Sequence, residues 1–376
     1  MALSVGSFII FVAVLGVLVF VHELGHFLVT RWWGVHVEEF GFGIPPRLAG
    51  VVRGADGKRH FFWGQNAPKP EVLGGPATIY SLNWIPVGGF VRPQGEDNPG
   101  VSGGLAAAPK RARLSVMLAG PAFNLIFAFL VFTLGYSLGW PKIGETGVQI
   151  MGVATGSPAE AVGLQVDDVV QTVDGQTITP STFISYTHDH LGQPIVLGLQ
   201  RNGAALSLTI TPRTTWPSSE GPMGIEIAQP YSVVSYPLPQ AMVQSVGEIY
   251  TQFDQLIHLP GALLRQQVPI QAARPIGLVG MNDLTRLAVR ASEQANALYP
   301  IIQLIGAISV ALAITNLLPI PGLDGGRILF VLIEAVRGRR MDPSREGMVH
   351  MAGLLVLLML MVVITYNDIF NPIFPR

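Results

Sequence analysis

The chain has no cysteine, which excludes disulfides and every thiolate-based metal site. A metal ion bound here must be held by His, Asp or Glu. Charge is scarce too: Asp, Glu, Lys and Arg make up 12% of the 376 residues and nearly cancel, leaving a formal net charge of −1. Such a balance carries no electrostatic footprint for nucleic acid. In place of charge stands an apolar fraction of 49%, and it is gathered into runs.

Four runs approach the roughly 20 residues that cross a bilayer: about Leu3 to Val29, Leu114 to Leu138, Ile301 to Leu318 and Met351 to Tyr366. Nothing before His22 is charged, so the first run is expected to stay as a span and not to be removed as a signal peptide. Basic residues gather between runs one and two, from Arg31 to Arg113, and between runs three and four, from Arg327 to Arg345. By the positive-inside rule both loops are expected to be cytoplasmic, with both termini and the segment from Trp140 to about Tyr299 outside. The expected fold is a polytopic α-helical membrane protein with about four transmembrane helices, a membrane-reentrant β-loop and an inserted β-rich domain.

The external segment opens with "GVQIMGVATGSPAEAVGLQVDDVVQTVDGQTI". Strand-like runs at Val148 to Val153 and Asp168 to Val173 flank a short helix at Pro158 to Val162, and Asp174-Gly175 and Asn202-Gly203 supply hairpin turns. The order resembles a PDZ domain, which binds an extended peptide as an added strand; any small β-sandwich is the plainer alternative. The domains expected are a membrane core in residues 1–139 and 299–376, a PDZ-like domain in 140–215, and a connector in 216–298 carrying an amphipathic helix from Met242 to Arg265. His188-Asp189-His190 reads as a solvated loop.

On the cytoplasmic side, "YSLNWIPVGGFVRPQGED" is too short to cross and is broken by Pro86 and Gly88-Gly89. A hairpin is expected there. It is either re-entrant, where non-helical backbone must be buried or face water, or an ordinary cytoplasmic hairpin. A re-entrant edge around Gly88, Gly89 and Phe90 would receive an unwound substrate segment by strand pairing.

Within the first span stands "HELGH", residues 22 to 26. His22 and His26 are one helical turn apart on one face, about 6 Å along the axis, which lets both chelate one Zn²⁺. Glu23 points beside the metal and can take a proton from water there. A soluble surface helix can bear these residues idly; inside a span, unpaired polar groups are costly. A catalytic zinc site needs a third protein ligand. "TNLLPIPGLDGGRILF" breaks the third span at Pro319, Pro321 and Gly322 and puts Asp324 at the break, as a third ligand or as the N-cap of the next helix. Asn124 either bonds between helices or lines the site.

HExxH in a first span with "NLLPIPGLDGG" in a later one resembles the site-2 protease family of intramembrane zinc metalloproteases, as do "LAGPAFN" at 118–124, "VGGFV" and the external PDZ-like segment. "GFGIPPRL" and "RPIGLVG" fit more loosely. The resemblance implies Zn²⁺ as cofactor, His22, His26 and Asp324 as its ligands, Glu23 as catalytic base, and Asn316 as a contact to the substrate backbone. It also implies a zinc metalloendopeptidase that cleaves membrane-anchored, single-span proteins such as anti-sigma factors or signal-peptide remnants, in a bacterial cytoplasmic membrane. One PDZ-like domain is visible where some bacterial members have two. A zinc transporter would also bury His and Asp, and a catalytically silent PDZ adaptor would share the topology; neither needs the intact triplet.

Overall fold

The computed structural model describes residues 5–54, 57–144, 146–217, 220–268 and 274–373. The chain ends, whose side of the membrane the charge pattern assigns, reach beyond them at 1–4 and 374–376. Contacts divide the chain into two units, residues 1–138 with 236–376, and residues 139–235.

In the first unit, four of the described helices are long and apolar enough to cross a membrane: α1 (Val5–Trp32), α3 (Lys110–Leu138), α8 (Tyr299–Leu317) and α10 (Pro343–Phe370). α1 runs without Pro until Gly34, whose φ of +74° lets Val35 N–H return to the Thr30 carbonyl at 3.2 Å and close the helix. Small residues bring the spans together, as they must where lipid gives no hydrophobic drive. A Cβ on Gly25 of α1 would overlap the Ala119 carbonyl of α3, and one on Gly306 of α8 would overlap the Phe132 ring of α3. Ser309 of α8 donates to the Asn124 carbonyl at 2.8 Å. The expected amphipathic helix is α6 (Leu238–Leu264). It packs on α3, with Thr133 donating to Ser245 at 3.0 Å and Tyr136 to Glu248 at 3.2 Å. Among the described residues the unit also has α7 (Leu278–Gln294) and α9 (Asp324–Arg337).

Between α1 and α3 the chain forms a three-stranded antiparallel sheet, in the order β2 (Arg59–Trp63), β1 (Val37–Arg53), β3 (Ile79–Pro93), with a short α2 (Pro70–Leu73) before β3. The expected hairpin at 80–97 is the fold-back of one bent strand, β3, whose two arms pair with β1 and not with each other. Both strands fold back on themselves. The N-terminal part of β1 pairs with both arms of β3, Gly41 standing opposite both Ser81 and Phe90. The second arm, Gly89 to Pro93, is therefore an edge. Buried Glu39 ties the fold-back together, accepting from Arg47 at 2.6 and 2.5 Å and from Ser81 at 2.7 Å, with Arg92 at 3.8 Å. One carboxylate thus holds both halves of β1 and both arms of β3, and charge-assisted bonds of this kind are the strong ones. Phe27 of α1 stacks on Phe40 of β1 at 4.6 Å, fixing the sheet to the first span.

The second unit has a sheet in the order β10 (Ile225–Ala228), β5 (Val148–Val153), β6 (Val169–Val173), β8 (Ile195–Arg201), β9 (Ala204–Ile210), with β7 (Gln176–Thr177) beside β6. Helices α4 (Pro158–Ala161) and α5 (Pro180–Asp189) cover a core that includes Ile150, Phe183, Ile195 and Leu197. Asn202 and Gly203 turn with φ of +51° and +82°, as the hairpin requires. This is the inserted PDZ-like domain, and it reaches further than 140–215. β10 closes the sheet edge, and β11 (Tyr231–Val234) pairs with β4 (Trp140–Ile143). Pro- and Ser-rich composition hid these short strands within the expected connector. His188 and Asp189 form the last turn of α5 and His190 is its C-cap, so the loop expected there is corrected: a capping box at Thr179 starts a helix.

Candidate metal centre

The two histidines share one face of α1 and Glu23 lies on another, so each face meets a different partner. His22 and His26 look toward α3. There Gly120 leaves no room to spare: a Cβ on it would overlap His26 Nε2 and stand 2.6 Å from His22 Nε2. Pro121 next to it has no N–H for the Met117 carbonyl, which loosens the helix around this turn. The His26 Nδ1–H donates to the Val116 carbonyl at 2.7 Å. That bond fixes the tautomer and leaves Nε2 as a bare lone pair. Fully buried Asn124 places Nδ2 at 3.3 Å from His22 Nδ1.

The third partner arrives from the end of α8. That helix stops at Leu317, Leu318 is extended with ψ of 140°, and Asp324 opens α9. Its Oδ2 stands 3.1 Å from His22 Nε2 and 3.4 Å from His26 Nε2, and the two Nε2 atoms are 3.1 Å apart. Asp324 is not the N-cap of α9: Leu323 occupies that position, with no side-chain cap bond.

The donor set fits a zinc ion. Three ligand atoms lie within 4.8 Å of one another, the one such group among the described residues. Asp324 Oδ2 is buried and accepts no hydrogen bond. Lone pairs facing each other at this range repel unless a cation stands among them. Two nitrogens and an oxygen at about 2.0–2.1 Å from a tetrahedral zinc would be about 3.3–3.4 Å apart, close to the distances observed.

Glu23 turns away from this group. Its Oε2 accepts from the backbone N–H of Val91 at 3.0 Å, so it stands against the edge arm of β3. Glycines let that arm approach α1. Gly88 has φ of +81°, a Cβ there would lie 2.9 Å from Val19, and one on Gly89 would lie 3.7 Å from Glu23 Cγ. Gly16, Val19, Phe20 and Glu23 recur at three- and four-residue steps and make one face. Of the expected substrate contacts, Gly89 thus lies beside Glu23 and Gly88 against Val19 on the same face. The Phe90 ring instead covers Gly41. Asn316 is half-buried in the last turn of α8, with no hydrogen bond joining it to the cluster.

Residues 10–61 and 72–360 match Peptidase family M50. The chain belongs to that family. A putative zinc metalloprotease of Campylobacter jejuni is 30% identical over 96% of this M50 chain and 93% of its own. Zinc metalloprotease RasP of Geobacillus kaustophilus is 27% identical over 96% and 97%, and a putative zinc metalloprotease of Clostridium acetobutylicum is 27% identical over 99% of both. Gly120 stands in the LAGPAFN stretch that carried the resemblance, but its place against the two imidazoles, like the Val116 carbonyl, was not read from the motif. A glycine inside an apolar helix was the signal available for the first, and nothing in a sequence marks the second.

Proposed function

We propose that His22, His26 and Asp324 hold the zinc of this intramembrane metalloprotease and that Glu23 is its proton acceptor and donor. The reading rests above all on the Val91 N–H···Glu23 bond, which ties the carboxylate next in sequence to His22 to the edge arm of β3. Zinc held there supplies Lewis acidity, lowering the pKa of a water toward 7. Glu23 takes the proton of the attacking water and returns it to the leaving amine.

The substrate is a membrane-anchored protein whose helix has unwound locally, because an intact helix spends its carbonyls on internal bonds. The extended segment adds to the second arm of β3 by backbone pairing, with Gly88 and Gly89 giving it clearance and Asn316 offering an amide that both donates and accepts. Asn124 orients His22. Its Oδ1 is buried without a partner; with the amide turned, that oxygen accepts the Nδ1–H and leaves Nε2 for the metal. Basic loops put the sheet on the cytoplasmic side and the PDZ-like unit outside a bacterial cytoplasmic membrane. The cleft between α5 and β10, lined by Phe183, Ile184, Met223 and Ile225 among others, takes an extended peptide on the β10 edge and selects substrates such as anti-sigma factors or signal-peptide remnants.

The test is cleavage of single-span substrates by purified protein, with and without a chelator, alongside Glu23→Gln. The variant loses a proton acceptor and no ligand, so it is expected to keep its zinc and lose hydrolysis by at least a hundredfold. Parent-like cleavage by Glu23→Gln would overturn the assignment.

A further inference from the structure

The break that presents Asp324 is irregular backbone beside a cavity lined by Glu96, Asp97, Arg327 and His350, and each N–H freed from a helix there needs an acceptor. Some of it is satisfied internally: Ile320 N–H donates to Leu318 and Leu323 N–H to Ile320. Gly322, at φ of +96°, turns its N–H out of the break. The acceptor is Nδ1 of His350, 3.1 Å away on α10.

α10 is otherwise a helix facing outward; in its most apolar stretch none of the residues is buried. Yet at this turn it lies directly on the break. A Cβ on Gly353 would overlap the Pro321 carbonyl, and one on Gly322 would lie 2.9 Å from Leu354 N. The His350 ring also meets Phe330 of α9 at 5.2 Å, edge to face. With Nδ1 accepting, the ring proton sits on Nε2, and Nε2 is buried without a partner. The ring bears that cost while serving Gly322.

We infer that His350 is a positioning residue. Its Nδ1 holds the Gly322 peptide, and through it the turn that aims the Asp324 carboxylate at His22 and His26. The inference rests on Asp324 being the third zinc ligand, and the experiment separates the two.

Zinc affinity and the rate of zinc loss to a chelator are measured in a Glu23→Gln background, where no turnover intervenes. His350→Leu keeps bulk and removes the acceptor; His350→Asn puts an oxygen near the place of Nδ1. Asp324→Asn is the reference for losing the ligand itself. The expectation is that Asp324→Asn loses zinc, that His350→Leu binds it about tenfold more weakly at unchanged helix content, and that His350→Asn stays within about twofold of the parent. If Asp324→Asn loses zinc while His350→Leu keeps parental affinity, the positioning role is overturned and the ligand reading stands. If Asp324→Asn keeps zinc, the ligand reading falls and the inference falls with it. Equal weakening in Leu and Asn variants would mean the ring merely fills space, which also overturns the inference. Should His350→Leu fail to insert, Asn against Ser carries the same test, since serine is too short to reach Gly322; equal affinities would overturn it.

Discussion

Gly120 shows how tightly one position is bound to the chemistry. Its missing side chain is the space in which two imidazoles stand, so a single methyl must displace His22 or His26. We expect Gly120→Ala to fold, since alanine favours the helix, but to bind zinc about ten- to a hundredfold more weakly; titration against a competing chelator reads this directly. A parental affinity would mean that α3 and α1 separate easily here. At this scale the sequence was legible where a side chain is its own signal. HExxH announces its geometry because four residues span one turn, and Asp324 is exposed to inference by the prolines before it. The Val116 carbonyl, the Val91 N–H and what the gap at Gly120 faces were not legible. They are backbone or absence, and they act across 90, 68 and about 95 positions of chain.

Among elements, the spans were the easiest to read and β1 the hardest. Lipid imposes a length and a composition on a helix, and each of the four runs overlaps one of the four span-length helices among the described residues. β1 carries Pro45 and Pro46 and folds back on itself, so the two-residue alternation that marks a half-buried strand is interrupted midway. Its partner arm in β3 gave a strand signal without saying with what it paired. In the PDZ-like unit one buried pair makes acid sensitivity predictable. Burial alone would raise the Asp168 carboxyl, but bonds from Arg201, at 2.7 Å to each oxygen, and from Gln165 N–H at 2.9 Å prevail and hold it below its ordinary value of 3.8. The folded state therefore binds fewer protons than the unfolded chain as pH falls. The contribution is complete above the ordinary value and disappears as pH drops through the lower folded one. Urea unfolding of residues 139–235 from pH 6 down to pH 2 is expected to show stability falling below about pH 4, and Asp168→Asn should flatten that slope at lower overall stability. An unchanged slope in the variant would remove Asp168 as its cause.

For the whole molecule, the proposed metal ligands, Glu23 and the β3 edge all belong to residues 1–138 and 236–376. Replacing 139–235 with a short Gly-Ser bridge is accordingly expected to leave zinc content unchanged and to retain cleavage of single-span peptides, with looser choice among them. Complete loss of cleavage in a folded, zinc-replete deletion would make the PDZ-like unit part of the catalytic apparatus.

The bridge can be short because of the β4–β11 ribbon. Trp140 stands opposite Val234, and just beyond it Tyr236 N–H bonds to the Tyr136 carbonyl at 2.9 Å. Outgoing and returning chain thus run as neighbours, like the two wires of one plug. A module wired in this way is replaceable in inheritance as well as in the laboratory: exchanged, doubled or lost, it leaves the register of the spans untouched. Lineages can then change what is recognised without renegotiating how it is cut.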